Sequence, residues 1–180
     1  MPRIYLSPST QEFNPYVIGG NEEYYMNLIA DAMEPYLYAS GIDFTRNTPD
    51  MTAASSIAAS NSGYYDFHLA LHSNATASGD GRTRGSEVYY YPTSVNGARA
   101  AEIFANNLEF IYPVENGVKT VPTTTIGEVR RTRAPAVLVE LAYHDNVEDA
   151  QWIRDNIDLI ARNMVLSLTD YFGIPFKTPT

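Results

Sequence analysis

The chain contains the run Ala136-Val137-Leu138-Val139-Glu140-Leu141, its most apolar stretch. A continuous apolar run of this length is typical of a strand buried on both faces of a parallel sheet. Shorter strand-like segments run from Ile4 to Leu6 and from Asp66 to His72, and helix-like segments alternate with them. This alternation predicts an α/β fold: a single twisted, mostly parallel β-sheet with helices on both faces.

The helix signals are clearest at the two ends of the chain. Residues Asn21–Ser40 carry an apolar stripe at helical spacing, with Asn21 as N-cap and Pro35 expected to kink or divide the helix. A second helix is predicted from Asp50 to about Asn61, a third from Val95 to about Ile111, and a last one over Val147–Phe172. No repeat or linker is present, so residues 1–180 are predicted to form one domain.

The composition excludes several classes of protein. The net charge is −9 with only 12 Lys and Arg residues, which argues against nucleic-acid binding. There is no cysteine, and therefore no disulfide, thiolate metal site or cysteine nucleophile. The chain has no run of about 18 apolar residues, so the sequence predicts no membrane span. The first residues lack an apolar signal core, so no leader peptide is predicted and the export route stays open.

Three long loops, at 7–20, 73–85 and 113–127, are rich in Gly, Ser, Thr, Asn and Pro. Long loops in a compact domain are often functional. Two of them begin just after predicted strands, where open α/β sheets bind their ligands. The predicted site therefore lies at the carboxyl ends of the strands.

Histidine is rare in the chain, with only three residues, and one of them stands at a strand end. His72 closes an apolar strand and opens onto the loop at 73–85, a position that suits a metal ligand, an acid/base group or a hydrogen-bonded turn residue equally well. His68 lies on the same strand and points to the same face, but roughly 13 Å away, too far to share a metal ion with His72. We interpret His68 as structural.

Carboxylates supply the other candidate chemistry. Glu140 ends the most apolar strand, where burial is costly without a partner or a function and raises the pKa of a carboxyl group. Catalysis is favoured over a purely structural role for this residue. Glu22 and Glu23 lie in the first turn of a helix, where compensation of the helix dipole is sufficient to explain at least one of them.

Taken together, three motifs resemble a known family. They are Glu23-x-x-x-Asn27-Leu28, then Leu71-His72-Ser73-Asn74-Ala75, then Arg130-x-Thr132-x-x-Pro135 followed by the apolar run that ends in Glu140. In this order and spacing they resemble the zinc-dependent N-acetylmuramoyl-L-alanine amidases of bacteria and their phages, which include autolysins and endolysins. The resemblance extends from Ile4 to the last helix.

The resemblance implies a function and a set of site residues. It implies a peptidoglycan hydrolase that acts on the cell wall, with Zn²⁺ bound by Glu23 and His72 and with Glu140 as the catalytic carboxylate. It further implies that Asn74 lines the cleft and that Arg130 holds a substrate carboxylate or the peptide stem. Neither nucleic acid nor membrane is expected as a partner, and a hydrolase of this size is expected to be a monomer.

The chain departs from the family at one position. Close relatives carry a histidine ligand where this sequence has Phe13, within Ser9-Thr10-Gln11-Glu12-Phe13-Asn14. Three interpretations stay open: Glu12 replaces the ligand, His144 or water completes the shell, or zinc binds weakly or not at all and catalysis is lost or impaired. The third is favoured.

Two hypotheses on function therefore remain, an active amidase and a non-catalytic peptidoglycan-binding or regulatory homologue. Retention of Glu140 favours the enzyme, whereas Phe13 favours the homologue. Other hydrolase and cofactor classes lack support, because the chain has no His-Glu-x-x-His motif, no Gly-x-Ser-x-Gly elbow and no glycine-rich loop followed by a helix.

Overall fold

The structure is a computed structural model that describes residues 1–180. It contains six strands and six helices that largely alternate along the chain. In chain order these are β1 (Arg3–Pro8), α1 (Glu22–Ser40), β2 (Asp43–Arg46), α2 (Ala53–Ser62), β3 (Phe67–Asn74), β4 (Ser86–Tyr90), α3 (Val95–Glu109), β5 (Val118–Pro122), α4 (Gly127–Arg130), β6 (Ala136–Tyr143), α5 (Val147–Asp155) and α6 (Ile157–Phe172).

The strands form one sheet in the order β2-β1-β3-β6-β4-β5. All neighbouring strands are parallel except β4 and β6, which are antiparallel. The most apolar run of the sequence forms β6, which lies at the centre between β3 and β4. The α/β architecture with a mostly parallel sheet is therefore confirmed.

The two faces of the sheet are covered very differently. On one face, odd-numbered β3 and β6 residues such as Leu69 and Val139 pack with α1, α3, α5 and α6 in a core cluster of 33 buried residues. On the other face, Ala70 and Leu138 belong to a cluster of only 4 buried residues, closed by Val129 of α4. Because strand side chains alternate, the even-numbered residues His68 and His72 of β3 and Glu140 of β6 lie on this second face.

Helix α1 begins as predicted and continues past its proline. The side chain of Asn21 accepts a hydrogen bond from the Tyr24 N–H, which caps the helix. The helix is continuous through Pro35 rather than divided. Met33 and Leu37, on either side of the proline, are fully buried in the large core, and this packing holds both halves in one helix.

Two predicted helix boundaries were wrong. Helix α2 is capped by Thr52 rather than Asp50, because Thr52 and Ser55 exchange the reciprocal hydrogen bonds of a capping box. The segment predicted as one helix over Val147–Phe172 is two helices, α5 and α6, separated by Asn156. Asn156 leaves the helical conformation, with φ −128° and ψ 29°, and its side-chain amide donates to the Trp152 carbonyl.

The loop predicted over residues 113–127 contains an additional strand, β5. Its exposed residues Lys119 and Thr120 gave no apolar signal, because an edge strand has little to bury. The short helix α4, which carries Glu128, begins where this loop ends. No helix in the chain is both long and apolar enough to cross a membrane.

Candidate active site

His72, at the carboxyl end of β3, lies between two buried carboxylates. Its Nδ1 atom is 2.8 Å from Glu22 Oε1, and its Nε2 atom is 3.1 Å from Glu128 Oε2. Burial alone would lower the pKa of His72, but the hydrogen bonds with Glu128 and Glu22 outweigh it and hold that pKa well above its ordinary value. Both ring nitrogens therefore have a defined partner.

Glu22 reaches this position from the first turn of α1. Its side chain is 1% exposed. Oε2 accepts a 2.7 Å hydrogen bond from Asn14 Nδ2, and Oε1 accepts one of 3.3 Å from the Ser73 N–H. Burial would raise the pKa of Glu22, but hydrogen bonding and charge attraction from His72 outweigh it and lower the pKa. The carboxylate is held ionised beside His72.

Glu23, the ligand implied by the family motif, points elsewhere. It is only half-buried, and its Oε1 accepts a 3.2 Å hydrogen bond from Asn27 Nδ2 of the same helix. Successive helix residues project about 100° apart, so only one of the two glutamates can face His72. The structure brings Glu22 there instead, one helical turn before the fully buried Met26.

Glu128 is a site residue that the sequence reasoning missed. It lies in the first turn of α4, is 4% exposed, and contacts both histidines of β3. Burial would raise the pKa of Glu128, but hydrogen bonds from His68 and His72 outweigh it and hold the pKa far below its ordinary value. The only sequence signal was an acidic residue beside Val129, just before the family motif that starts at Arg130.

Glu140 stands beside His72 in the sheet register. The two are paired across β3 and β6, so they lie on adjacent strands about 4.8 Å apart and on the same face. Glu87 of β4 is paired with Glu140 from the other side. The side chain of Glu140 is partly exposed, yet its Oε2 atom is buried and has no hydrogen-bond partner.

The environment of Glu140 changes its acidity. Burial raises the pKa of Glu140 to about 7; His72 opposes this shift, and the carboxylates of Glu22, Glu87 and Glu128 add to it. A group with a pKa near neutrality exchanges a proton readily at physiological pH. Glu140 therefore has the acidity of a general acid/base.

The loop after β1 does not supply a further carboxylate or imidazole. Phe13 is 74% exposed, and Glu12 is also exposed. Gln11 is the loop residue that reaches the centre, with its Nε2 atom 3.3 Å from His72 Nδ1. The loop borders a polar pocket of about 320 Å³, lined by Ser7, Pro8, Ser9, Thr10, Gln11, Phe13, Asn47, Met51, Thr52, Ala53, Ser56, His72 and Glu128.

His144 is buried nearby but engaged in other contacts. Its Nδ1 atom is 2.9 Å from Ser73 Oγ, and its ring stacks on Tyr16 at a centroid distance of 5.1 Å. Tyr16 also donates to Ser73 Oγ at 2.7 Å. His144 thus supports the segment that follows His72 and does not face the pair of Glu22 and His72.

The two substrate-binding candidates lie at different distances from Glu140. Asn74 is half-buried at the end of β3, and its amide is 3.4 Å from the carboxylate of Glu87, the strand neighbour of Glu140. Arg130 is exposed, and its Nη1 donates to the Thr124 carbonyl at 3.4 Å. It lines a groove beside Ala136, at the opposite end of β6 and roughly 13 Å along the strand from Glu140. The structure brings Asn74 to the site but not Arg130.

The residues fit a zinc ion only in part. Catalytic zinc sites use three protein ligands and leave one position for water. Glu22 Oε1 and His72 Nδ1 converge as two suitable donors, but no third His, Cys, Asp or Glu joins them. The unpartnered Oε2 of Glu140 marks where a water molecule or substrate group would be received. These two donors are one fewer than the three protein ligands that catalytic zinc sites use.

The fold and this centre define an α/β domain with carboxylates and an imidazole gathered over the ends of its strands. The family model for N-acetylmuramoyl-L-alanine amidases matches residues 14–170. The chain therefore belongs to the N-acetylmuramoyl-L-alanine amidase family, whose members hydrolyse the amide bond between N-acetylmuramic acid and L-alanine in peptidoglycan. No curated protein sequence matches the chain.

Solved structures agree with the fold. The catalytic domain of CwlV from Bacillus (Paenibacillus) polymyxa has a TM-score of 0.82 at 15% identity, covering 97% of this chain and 100% of that one. An amidase from Clostridium difficile 630 has a TM-score of 0.84 at 15% identity, covering 96% and 97%. The catalytic domain of CD27L, an endolysin that targets Clostridia difficile, has a TM-score of 0.74 at 22% identity, covering 94% and 98%.

Proposed function

We propose that this chain cleaves the amide bond between the lactyl group of N-acetylmuramic acid and L-alanine, with Glu140 as general acid/base. The observation that carries the proposal is the buried, unpartnered Oε2 of Glu140 beside His72. The family of the chain supports the choice of substrate, peptidoglycan, and of the cell-wall side as the place of action. We further propose that the domain acts as a monomer.

The family is generally zinc-dependent, and Glu22 and His72 are the residues that would hold the ion here. When bound, zinc lowers the pKa of a coordinated water molecule and polarises the scissile carbonyl. Glu22 takes the role that the motif gave to Glu23. Glu12 and His144 are not needed as ligands in this proposal.

The chemistry of the chain then centres on one proton. Glu140, ionised, accepts a proton from the attacking water, and afterwards donates it to the leaving amine of L-alanine. Its pKa of about 7 suits both steps, because the proton is neither held too tightly nor lost too easily. Asn14 keeps the opposite side of the site in place by donating a hydrogen bond to Glu22.

Two surfaces supply contacts for the substrate. The polar pocket beside His72 is lined mainly by hydroxyl and amide side chains, which suit an uncharged, hydroxyl-rich sugar. Asn74 borders the centre on the side of Glu87 and would meet the peptide. Arg130 lies away from the scissile bond, so any contact with the substrate would involve a distant part of the stem.

A second candidate function rests on Phe13. An exposed phenyl ring cannot coordinate a metal, and with two protein ligands the zinc affinity should be low. A chain that never binds zinc would be a peptidoglycan-binding homologue that keeps the cleft. The two functions differ in whether hydrolysis appears once enough zinc is supplied.

Calorimetry on metal-stripped protein separates them, with wild type and Phe13→His measured side by side. We expect the substitution to raise zinc affinity at least about tenfold, or about 1.4 kcal/mol. We also expect wild type to hydrolyse peptidoglycan once zinc is saturating. If Phe13→His hydrolyses peptidoglycan and wild type does not at any zinc concentration, wild type is the binding homologue instead.

A further inference from the structure

Glu128 bridges the two histidines of β3. Its Oε1 atom is 3.1 Å from His68 Nε2, and its Oε2 atom is 3.1 Å from His72 Nε2. These two strand positions are roughly 13 Å apart, too far for the histidines to share a metal ion. The carboxylate of Glu128 lies between the two rings and contacts one with each oxygen. All three side chains are almost completely buried, and His68 is 0% exposed.

The carboxylate of Glu128 is itself held in place. Ser7 donates to Oε1, the oxygen that His68 also contacts. His68 is fixed in turn, with its Nδ1 atom 3.0 Å from Ser60 Oγ and its ring stacked on Tyr5 at 5.4 Å. Oε2 is thereby oriented towards His72 alone.

Packing does not explain this arrangement. Burying a carboxylate between two imidazoles requires desolvation, which apolar residues of similar size would avoid. On its other face the same sheet avoids this cost, because the apolar side chains of Leu69 and Leu71 fill the equivalent space. A polar cluster in which each member has a partner instead fixes the orientation of its members.

We infer that Glu128, anchored by His68, is a positioning residue for His72. Glu128 accepts the Nε2–H of His72 and thereby directs Nδ1 towards Glu22, the side on which the metal would bind. Zinc held at Nδ1 would leave the Nε2–H in place as the donor to Glu128. The inference rests on the proposed function for the metal, but its basis is the hydrogen bonding of the metal-free chain.

The first test is ¹⁵N–¹H NMR of the histidine rings, which is practical because the chain has only three histidines. In metal-free wild type we expect a slowly exchanging Nε2–H signal for His72. Glu128→Gln should speed the exchange of that proton, whereas Glu22→Gln should affect only the Nδ1–H. The absence of the Nε2–H signal in wild type would overturn the inference, whether or not zinc binds.

The second test adds zinc, using Phe13→His as background if wild type does not saturate. We expect zinc to remove the Nδ1–H signal of His72 and leave the Nε2–H signal in place. Loss of the Nε2–H signal instead would show coordination through Nε2 and would contradict the role of Glu128. A complete failure of both proteins to bind zinc would refute the proposed metal function, and the metal-free spectra would still decide the role of Glu128.

The third test separates positioning from structural support. Glu128→Gln should weaken zinc binding by about 10–100-fold, the range typical for partners of metal-ligating histidines. His68→Gln should give a smaller loss, and Glu102→Gln, on the exposed surface of α3, should give none. A lower melting temperature with unchanged zinc affinity of the folded protein would mean that Glu128 only stabilises the fold.

Discussion

The two faces of the sheet use the same strands in opposite ways. On one face, Leu71 and Val139 are completely buried beneath four helices. On the other, their sequence neighbours His72 and Glu140 face a thin cover made of α2 and α4 and the loops at the strand ends. One face stabilises the domain, and the other holds ionisable groups that the first keeps in place.

The difference shows why adjacent residues should respond so differently to substitution. The apolar face tolerates no loss of volume, because its side chains fill a close-packed core. The polar face depends on partners: Glu22, His72 and Glu128 are stable there only while their neighbours supply charge or hydrogen bonds. Changes to the first face should therefore alter stability, and changes to the second should alter metal binding or proton transfer.

The largest expected effect lies on the apolar face. Leu71→Ala should lower the free energy of unfolding by about 2–5 kcal/mol, because it leaves a cavity in a fully buried site. Urea unfolding measures this directly. The control is Leu159→Ala on α6, which is 40% exposed and should cost much less. Equal losses for the two variants would break the distinction between the faces.

The second effect concerns the polar face and distinguishes two neighbouring glutamates. Measured by calorimetry in the Phe13→His background, Glu22→Gln should weaken zinc binding at least about 100-fold, or about 2.8 kcal/mol, because the proposed ligand next to His72 is lost. Glu23→Gln is the matched control and should leave the affinity unchanged, since Glu23 bonds to Asn27. If Glu23→Gln weakened zinc binding and Glu22→Gln did not, Glu23 would be the ligand, as the family motif implied.

The smallest effect is the stability change caused by Glu140 itself. Because the folded-state pKa of Glu140 is raised to about 7, the folded protein keeps a proton that the unfolded chain loses above pH about 4.5. Its stabilising contribution is thus full below pH about 4.5 and is lost as the pH rises to about 7.

Glu140→Gln does not titrate, so its stability relative to wild type should rise by about 1–3 kcal/mol between pH 4.5 and 8. Denaturant unfolding of both metal-free proteins at the two pH values checks this. Titration of Glu22, His72 and Glu128 contributes to both proteins and largely cancels in the difference. A difference that does not change with pH would contradict the raised pKa.

Much of the fold was predictable from the sequence because its signals are local. The apolar run at 136–141 identified the central strand, and Asn21 identified the start of α1. The break at Asn156 and the strand β5 were missed because their local sequence signals are weak. A side chain bonding to its own backbone, and an edge strand with exposed residues, leave little trace in hydrophobic periodicity.

The site was predictable where a residue ends a strand and less so elsewhere. His72 and Glu140 were selected as candidates because polar residues at the ends of apolar strands are costly without a function, and the structure places them side by side. Glu22 could have been chosen over Glu23, because it lies in helical phase with the buried Met26, Ile29 and Met33. Glu128 could not, since only the tertiary fold brings α4 over the histidines of β3.

The most direct measurement of the central claim is a product analysis of peptidoglycan digested by wild type and Glu140→Gln at saturating zinc. We predict that wild type releases new alanine amino termini and that the substitution slows this by about 10²–10⁴-fold, the usual contribution of a general acid/base. Equal rates for the two proteins, or new amino termini from another residue, would contradict the assignment of Glu140 and of the bond that is cleaved.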